Sequence, residues 1–180
     1  MEIDKHLVEY LSAIDTTNHS GTVFRATRPN ADPLEPSAYG GRWCPRPKRE
    51  PGFRVLYTSL DGDGAISEVA TPLFEQDPPI LISLAVAEIA VTTSRTLRLV
   101  ETDLQQLGVD KNRYGEREYT HTQRIGAALN YLEIDGLISP SARWPCDNLT
   151  LFFNNHSLDE RLEIVRTITV DTKDWMQQHG

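Results

Sequence analysis

Six prolines fall between Pro29 and Gly52, and that stretch limits the architecture more than any other feature. Proline lacks a backbone N–H and has a fixed φ, so neither a helix interior nor a central strand runs through such a segment. A structureless connection of this length is uncommon in a compact domain and is either functional or a disordered surface insertion. Within it, Tyr39-Gly40-Gly41-Arg42-Trp43 sets two large aromatics around a glycine pair, which favours packing against the rest of the chain.

Hydrophobic spacing reads the remainder. Ile3, Leu7, Leu11 and Ile14 share a helical face, predicting a helix over 2–15. Thr22–Arg28 is a strand stopped by Pro29, and Arg54–Leu60 is another. After a turn at Asp61-Gly62-Asp63-Gly64, the residues Ala65, Ile66, Val69 and Leu73 predict a helix that Pro72 ends or kinks. Strands are expected at Ile80–Val86 and Arg95–Val100, then a short helix at Thr102–Leu107. Ile125, Ala128, Leu129 and Leu132 form the stripe of a helix over 120–133, broken by Asp135-Gly136. A strand begins at Leu137-Ile138 and meets Ser139-Pro140-Ser141; further strands lie at Leu149–Phe153 and Leu162–Val170, before a helix over Asp171–Gln178. Strands and helices mix without regular alternation, so the expected class is α+β rather than a doubly wound sheet. The 180 residues suit one domain.

Eighteen basic residues face 26 acidic ones, a net charge of −8, which argues against direct nucleic-acid binding. One local exception is the basic cluster Arg42, Arg46, Lys48, Arg49 and Arg54, a site for a small anion or simply a solvated loop. Cys44 and Cys146 lie far apart without CxxC partners, so neither a metal site nor a disulfide framework is expected. The acidic, amphipathic N-terminus is not a signal peptide, and no stretch approaches the ~18–20 apolar residues of a membrane span. The expectation is a cytoplasmic protein.

No dinucleotide fingerprint, P-loop, nucleophile elbow or HExxH is present. Four residues stand out by context. Arg25 sits mid-strand in Val23-Phe24-Arg25-Ala26 and, if buried, must be paired or face a ligand. Glu68 lies early in the helix after the Asp61–Gly64 turn, where a carboxylate is favoured by the dipole and also serves as a plain cap. Tyr57 in a strand suits core packing, and Ser141 follows Pro140 where a hydroxyl meets a ligand or caps a turn.

Phe24-Arg25, Gly40-Gly41-Arg42-Trp43, Leu56-Tyr57-Thr58-Ser59, Ala65-Ile66-Ser67-Glu68 and Pro140-Ser141-Ala142-Arg143 occur in that order. The set resembles the RES domain family, named for an Arg, a Glu and a Ser that here correspond to Arg25, Glu68 and Ser141. The resemblance spans about 20–155 of a single domain over 1–180, flanked by the N-terminal helix and a C-terminal strand–helix extension. It implies an ADP-ribosyltransferase-like fold, a mixed and largely antiparallel split β-sheet flanked by helices. It also implies a toxin that consumes NAD+ as substrate, with no further cofactor, and that assembles with an Xre-type helix-turn-helix antitoxin in an oligomeric complex. Where the family carries Asn after its GGRW segment this chain has Cys44, which places an expected difference at the pocket edge.

Cleavage of the nicotinamide–ribose bond passes through an oxocarbenium-like transition state, as glycoside cleavage does. Nicotinamide departs neutral from a pyridinium, so negative charge helps more than a general acid. Glu68 is the expected source of that charge. Arg25 and Arg42 suit the diphosphate, Tyr57 suits stacking on the nicotinamide ring, and Tyr39 or Trp43 suits a lid. Ser141 is assigned to the carboxamide or ribose, with Asn148 in support. Water, phosphate and a protein side chain all remain open as acceptor. A second class is a non-catalytic binding module that keeps the fold; the carboxylate of Glu68, which repels a diphosphate, counts against it.

Overall fold

The structure, a computed structural model, describes residues 3–37, 39–46 and 52–179. Lys48 and Arg49 of the basic cluster, and Glu2 at the expected start of the first helix, lie outside the described residues. The elements are α1 (Lys5–Ser12), β1 (Thr17–Thr27), β2 (Val55–Ser59), α2 (Gly62–Phe74), β3 (Ser83–Arg98) and α3 (Glu101–Gln106), then a 3-10 turn (Lys111–Arg113). They continue with α4 (Thr120–Tyr131), β4 (Gly136–Pro140), β5 (Asp147–Phe152), β6 (Leu162–Asp171) and α5 (Thr172–His179). The class is α+β with a mixed sheet, as expected. No helix among the described residues is long and apolar enough to cross a membrane.

Two expectations change. The strands expected at Ile80–Val86 and Arg95–Val100 merge into one continuous strand, β3, of 16 residues, with Ile80–Ile82 and Leu99–Val100 left outside it. Its middle escapes pattern reading because small alanines and Glu88 interrupt the apolar run; Glu88 is matched by Arg166 across the β3–β6 pair. The first strand begins at Thr17 rather than Thr22, since the polar run before Val23 is held by backbone pairing with β3 and is largely exposed.

The sheet order is β1-β2-β5-β4-β3-β6, with an added β1–β3 pairing that closes a five-strand ring. β3 runs parallel to β4, and every other pair is antiparallel. Closure is uneven. β1 follows β3 from Thr17↔Thr96 to Thr27↔Ala85, but meets β2 at the single pair Phe24↔Ser59. The ring is therefore split along the β1/β2 seam.

Side-chain alternation then sorts the strands. Val23, Leu56, Ile89, Ile138 and Leu149 share the apolar cluster enclosed by the ring. Residues of the opposite parity, such as Val55, Leu137 and Phe152, join Leu11, Ile125 and Leu129 in a second core beneath α1 and α4. A third core seats Ala65, Ile66 and Ala70 of α2 and Trp175 of α5 on Leu84 and Val86.

The seating of α2 matters most for function. Asp61 caps it, accepting the Gly64 N–H at 2.8 Å. A Cβ at Gly64 would stand 2.5 Å from Cys146 Sγ and 2.6 Å from Ser59 Oγ, so only glycine lets the first turn lie directly on the ends of β2 and β5. Residue 68 is one turn later on the same face. Pro72 does not end the helix, which runs on to Phe74; lacking an N–H, it leaves the Glu68 carbonyl without its usual helical donor.

Candidate active site

Strand register lays out a polar floor. Ser59 pairs with Asn148 and Asn148 with Ser139, so three side chains form a row across β2, β5 and β4; Tyr57 and Thr150 form the next row on the same face. Above this floor stands α2, beside it the split seam, and across from it the Gly40–Trp43 segment and the turn before α4. Together they enclose a cleft of about 350 Å³, within the usual size for small-ligand sites. Arg25, Arg42, Tyr57, Glu68 and Asn148 all line it.

Glu68 hangs over the floor from α2, half buried. Its Oε1 accepts two hydrogen bonds, from Ser141 Oγ at 2.7 Å and from Asn148 Nδ2 at 2.8 Å. Ser141 Oγ in turn accepts the backbone N–H groups of Arg143 at 3.1 Å and Trp144 at 3.2 Å, which leaves its own proton for Glu68. One carboxylate oxygen is therefore fixed from two sides, while no protein donor among the described residues reaches Oε2. Ser141 does not line the cleft. Its hydroxyl is spent on Glu68 rather than turned toward a ligand, which revises its expected contact with carboxamide or ribose.

Tyr57 presents its ring to the cleft, and its phenol oxygen accepts the Trp43 N–H at 3.1 Å. Burial drives its pKa well up, so the phenol stays neutral. A Cβ at Gly41 would meet the Tyr57 oxygen at 2.6 Å; the glycine pair exists so that this segment can close onto the tyrosine. Gln123 of α4 pins the same segment, donating to the Gly41 carbonyl at 2.9 Å.

The two arginines are held differently. Arg25 Nη1 donates to the carbonyls of Pro33 and Glu35, each at 2.7 Å, so the mid-strand charge is satisfied by the proline-rich connection. Burial lowers its pKa, against the opposing pull of Asp32 and Glu35, and a guanidinium remains charged throughout. Arg42 lies over two tyrosine faces, 4.2 Å from the Tyr114 ring centroid and 5.0 Å from that of Tyr119.

The expected lid is not formed by Trp43. That side chain is only 2 % exposed and packs in the core with Ile125 and Leu97, because its backbone, not its ring, faces the cleft. Tyr39 is 78 % exposed and lies outside the cleft lining, with Arg46 5.9 Å from its ring. Cys44, expected to change the pocket edge, is buried in the same core and donates its thiol to the Phe53 carbonyl at 3.0 Å; it does not line the cleft.

Sequence reading missed Tyr114, Tyr119 and Ser139. The tyrosines sit in a charged, aperiodic run, and their one signal is two aromatics where solvated loop would have none. Tyr114 donates to the Pro140 carbonyl at 3.0 Å; burial raises its pKa, while Arg42 lowers it.

Chemically, the cleft offers one carboxylate with a fixed orientation, a neutral aromatic face and two guanidinium groups. Such a set suits a ligand with a flat ring, hydroxyls and phosphate, and a reaction that develops positive charge near Glu68.

A family model described as RES domain matches residues 22–173. The crystal structure of the M. tuberculosis MbcT–MbcA toxin–antitoxin complex superimposes with a TM-score of 0.82, covering 98% of this chain and 98% of that chain at 19% identity, a likeness of fold. No curated protein matches in sequence.

Proposed function

The chain belongs to the RES domain family, and from that premise we propose that it consumes NAD+ by breaking the bond between nicotinamide and ribose C1′. The observation that carries this reading is the fixed carboxylate of Glu68, a residue of the cleft lining, with Oε1 held by Ser141 and Asn148 and no donor among the described residues on Oε2. As the C–N bond breaks, its electron pair returns to the pyridinium nitrogen and positive charge builds on C1′ and the ring oxygen. A preoriented carboxylate stabilises that charge without reorganising, an effect of about 3–4 kcal/mol for one such group. Tyr57 supplies the face for the departing ring, and Arg42 and Arg25 supply charge for the diphosphate.

In the cell the activity is that of a toxin in a type II toxin–antitoxin pair. Support comes from the family and from the fold shared with MbcT, solved with its antitoxin. The partner proposed is an Xre-type helix-turn-helix antitoxin that restrains the enzyme until it is removed.

The test is nicotinamide release from NAD+ by the purified chain beside Glu68→Gln, which keeps the partners of Oε1 and removes the charge. A loss of about 100-fold or more is expected, and the ribosyl co-product identifies the acceptor. No release by the parent chain, even with phosphate and cell extract supplied, would overturn the reading.

A further inference from the structure

Two buried polar atoms at the cleft floor have no partner among the described residues: Ser139 Oγ and Asn148 Oδ1. Both residues line the cleft, and they are direct partners across the β4–β5 ladder. Side chains directly opposite in an antiparallel pair lie close enough to share one ligand group. Ser139 is 1 % exposed. Its hydroxyl lies near the Tyr114 phenol, whose proton goes to the Pro140 carbonyl; the phenol oxygen is still an acceptor, but the two groups do not meet at hydrogen-bonding geometry. The orientation of Asn148 is not open to a flip. Its other amide atom faces the Glu68 carboxylate, which only accepts, so that atom is nitrogen and the orphan is the carbonyl oxygen.

Orphaned buried polar atoms are uncommon, and each is costly unless something completes it. The pair here asks for a group with a donor for Asn148 Oδ1 beside an acceptor for the Ser139 hydroxyl. We propose that Ser139 and Asn148 read a primary carboxamide, its NH2 donating to Asn148 and its C=O accepting from Ser139. The proposal rests on the NAD+ reading above and deepens it, since the nicotinamide carboxamide is the group on that substrate that carries both functions side by side on a flat ring. Tyr57, one row along the same face, lies where the ring would stack. The ribose hydroxyls fall to the open oxygen of Glu68. A carboxylate in place of the amide has no proton to give and meets both Asn148 Oδ1 and Glu68 as like poles, so the floor selects nicotinamide over nicotinate.

The experiment is binding of free nicotinamide, 3-acetylpyridine, nicotinate and pyridine to the parent chain and to Ser139→Ala, by calorimetry or ligand-observed NMR. NAD+ turnover is measured on the same preparations. Nicotinamide is expected to bind about tenfold more tightly than 3-acetylpyridine, which lacks the NH2, and nicotinate to bind least. Ser139→Ala is expected to weaken nicotinamide about tenfold and to leave pyridine unchanged, the pattern of a lost contact rather than a damaged fold. Equal binding of nicotinamide and pyridine, no binding of nicotinamide, or a Ser139→Ala effect that is absent or shared by pyridine, each overturns the proposal and assigns the orphan pair to an ordered water. Turnover of NAD+ without that selectivity would sink the carboxamide reading alone. Selective nicotinamide binding without turnover would sink the NAD+-cleaving reading alone.

Discussion

Ser141 donates its hydroxyl proton to Glu68 Oε1 at 2.7 Å while accepting two backbone N–H groups from its own loop. The serine is thus a fixed donor, held by Arg143 and Trp144, whose work is to orient a carboxylate. Trp144 also packs at a tilt against Trp175 of α5, with ring centroids 5.6 Å apart, so the C-terminal helix braces the loop that braces the site.

Removing that hydroxyl should act on turnover more than on substrate binding. Hydrogen bonds to charged groups contribute about 1.5–3 kcal/mol, so Ser141→Ala should lower kcat for NAD+ about tenfold or more, with KM within about threefold. Ser141→Thr, which keeps the hydroxyl, should recover most of it. Steady-state nicotinamide release for the three proteins decides the matter. A rise in KM at constant kcat would mean that Ser141 binds substrate directly.

Arg42 rests on two aromatic faces, and that support should be visible in substrate choice. A cation–π contact contributes about 0.5–1 kcal/mol at an exposed site and ~2 when desolvated. Tyr119→Leu should therefore raise KM for NAD+ several-fold, and Arg42→Lys should do so at least as strongly because the planar fork is lost. Nicotinamide riboside has the same scissile bond and no phosphate, so its kcat/KM should be unchanged in both variants. Equal losses on both substrates would place Arg42 away from the diphosphate.

How much of this was legible depends on what each residue answers to. Arg25, Tyr57, Glu68 and Asn148 are brought together because each is fixed by its own element; the ordered motifs named the first three, and Asn148 entered only as support for Ser141. Ser141 was named too, but its direction depends on two backbone N–H groups that only the folded loop supplies. Trp43 misled because a large aromatic beside glycines reads as a lid, whereas the glycines turn its ring into the core and its N–H toward Tyr57. Tyr114 and Tyr119 lie in a run with no periodicity, and their role appears only when the 3-10 turn and the start of α4 bring them to Arg42. β3 was cut in two because Glu88, a charge mid-strand, is paid for by Arg166 on a strand more than seventy residues away.

Stability should fall at high pH through Cys44. Burial pushes its thiol up from 9.0 to about 11. In the unfolded chain the thiol ionises near 9.0, whereas the folded chain keeps it neutral until about 11. The contribution is thus complete below the lower value and lost as pH rises through the higher one. The Tyr57 phenol, also raised by burial, acts in the same direction. Urea midpoints at pH 8 and 10.5 should drop further for the parent than for Cys44→Ser, which keeps a donor for the Phe53 carbonyl and does not titrate. Parallel drops would show that the thiol does not set the slope.

The last relationship ties one glycine to the chemistry. α2 can approach the sheet only where residue 64 has no side chain, since a Cβ would press on Cys146 Sγ and Ser59 Oγ. Gly64→Ala must lift the first turn or displace both side chains, at about 1–3 kcal/mol for overpacking of this kind. Glu68, one turn along, moves with the helix, and its bonds to Ser141 and Asn148 lengthen together. Nicotinamide release by Gly64→Ala, measured well below its Tm, should fall by tenfold or more although the protein is folded. Cys146→Ala removes the nearer obstacle, so the double variant should regain Tm and activity in parallel. Recovery of Tm without activity would mean that the helix reseats in a different place. Parent-like behaviour of the single variant would mean that the contact between α2 and the sheet is looser than 2.5 Å and that Glu68 owes its position to Ser141 and Asn148 alone.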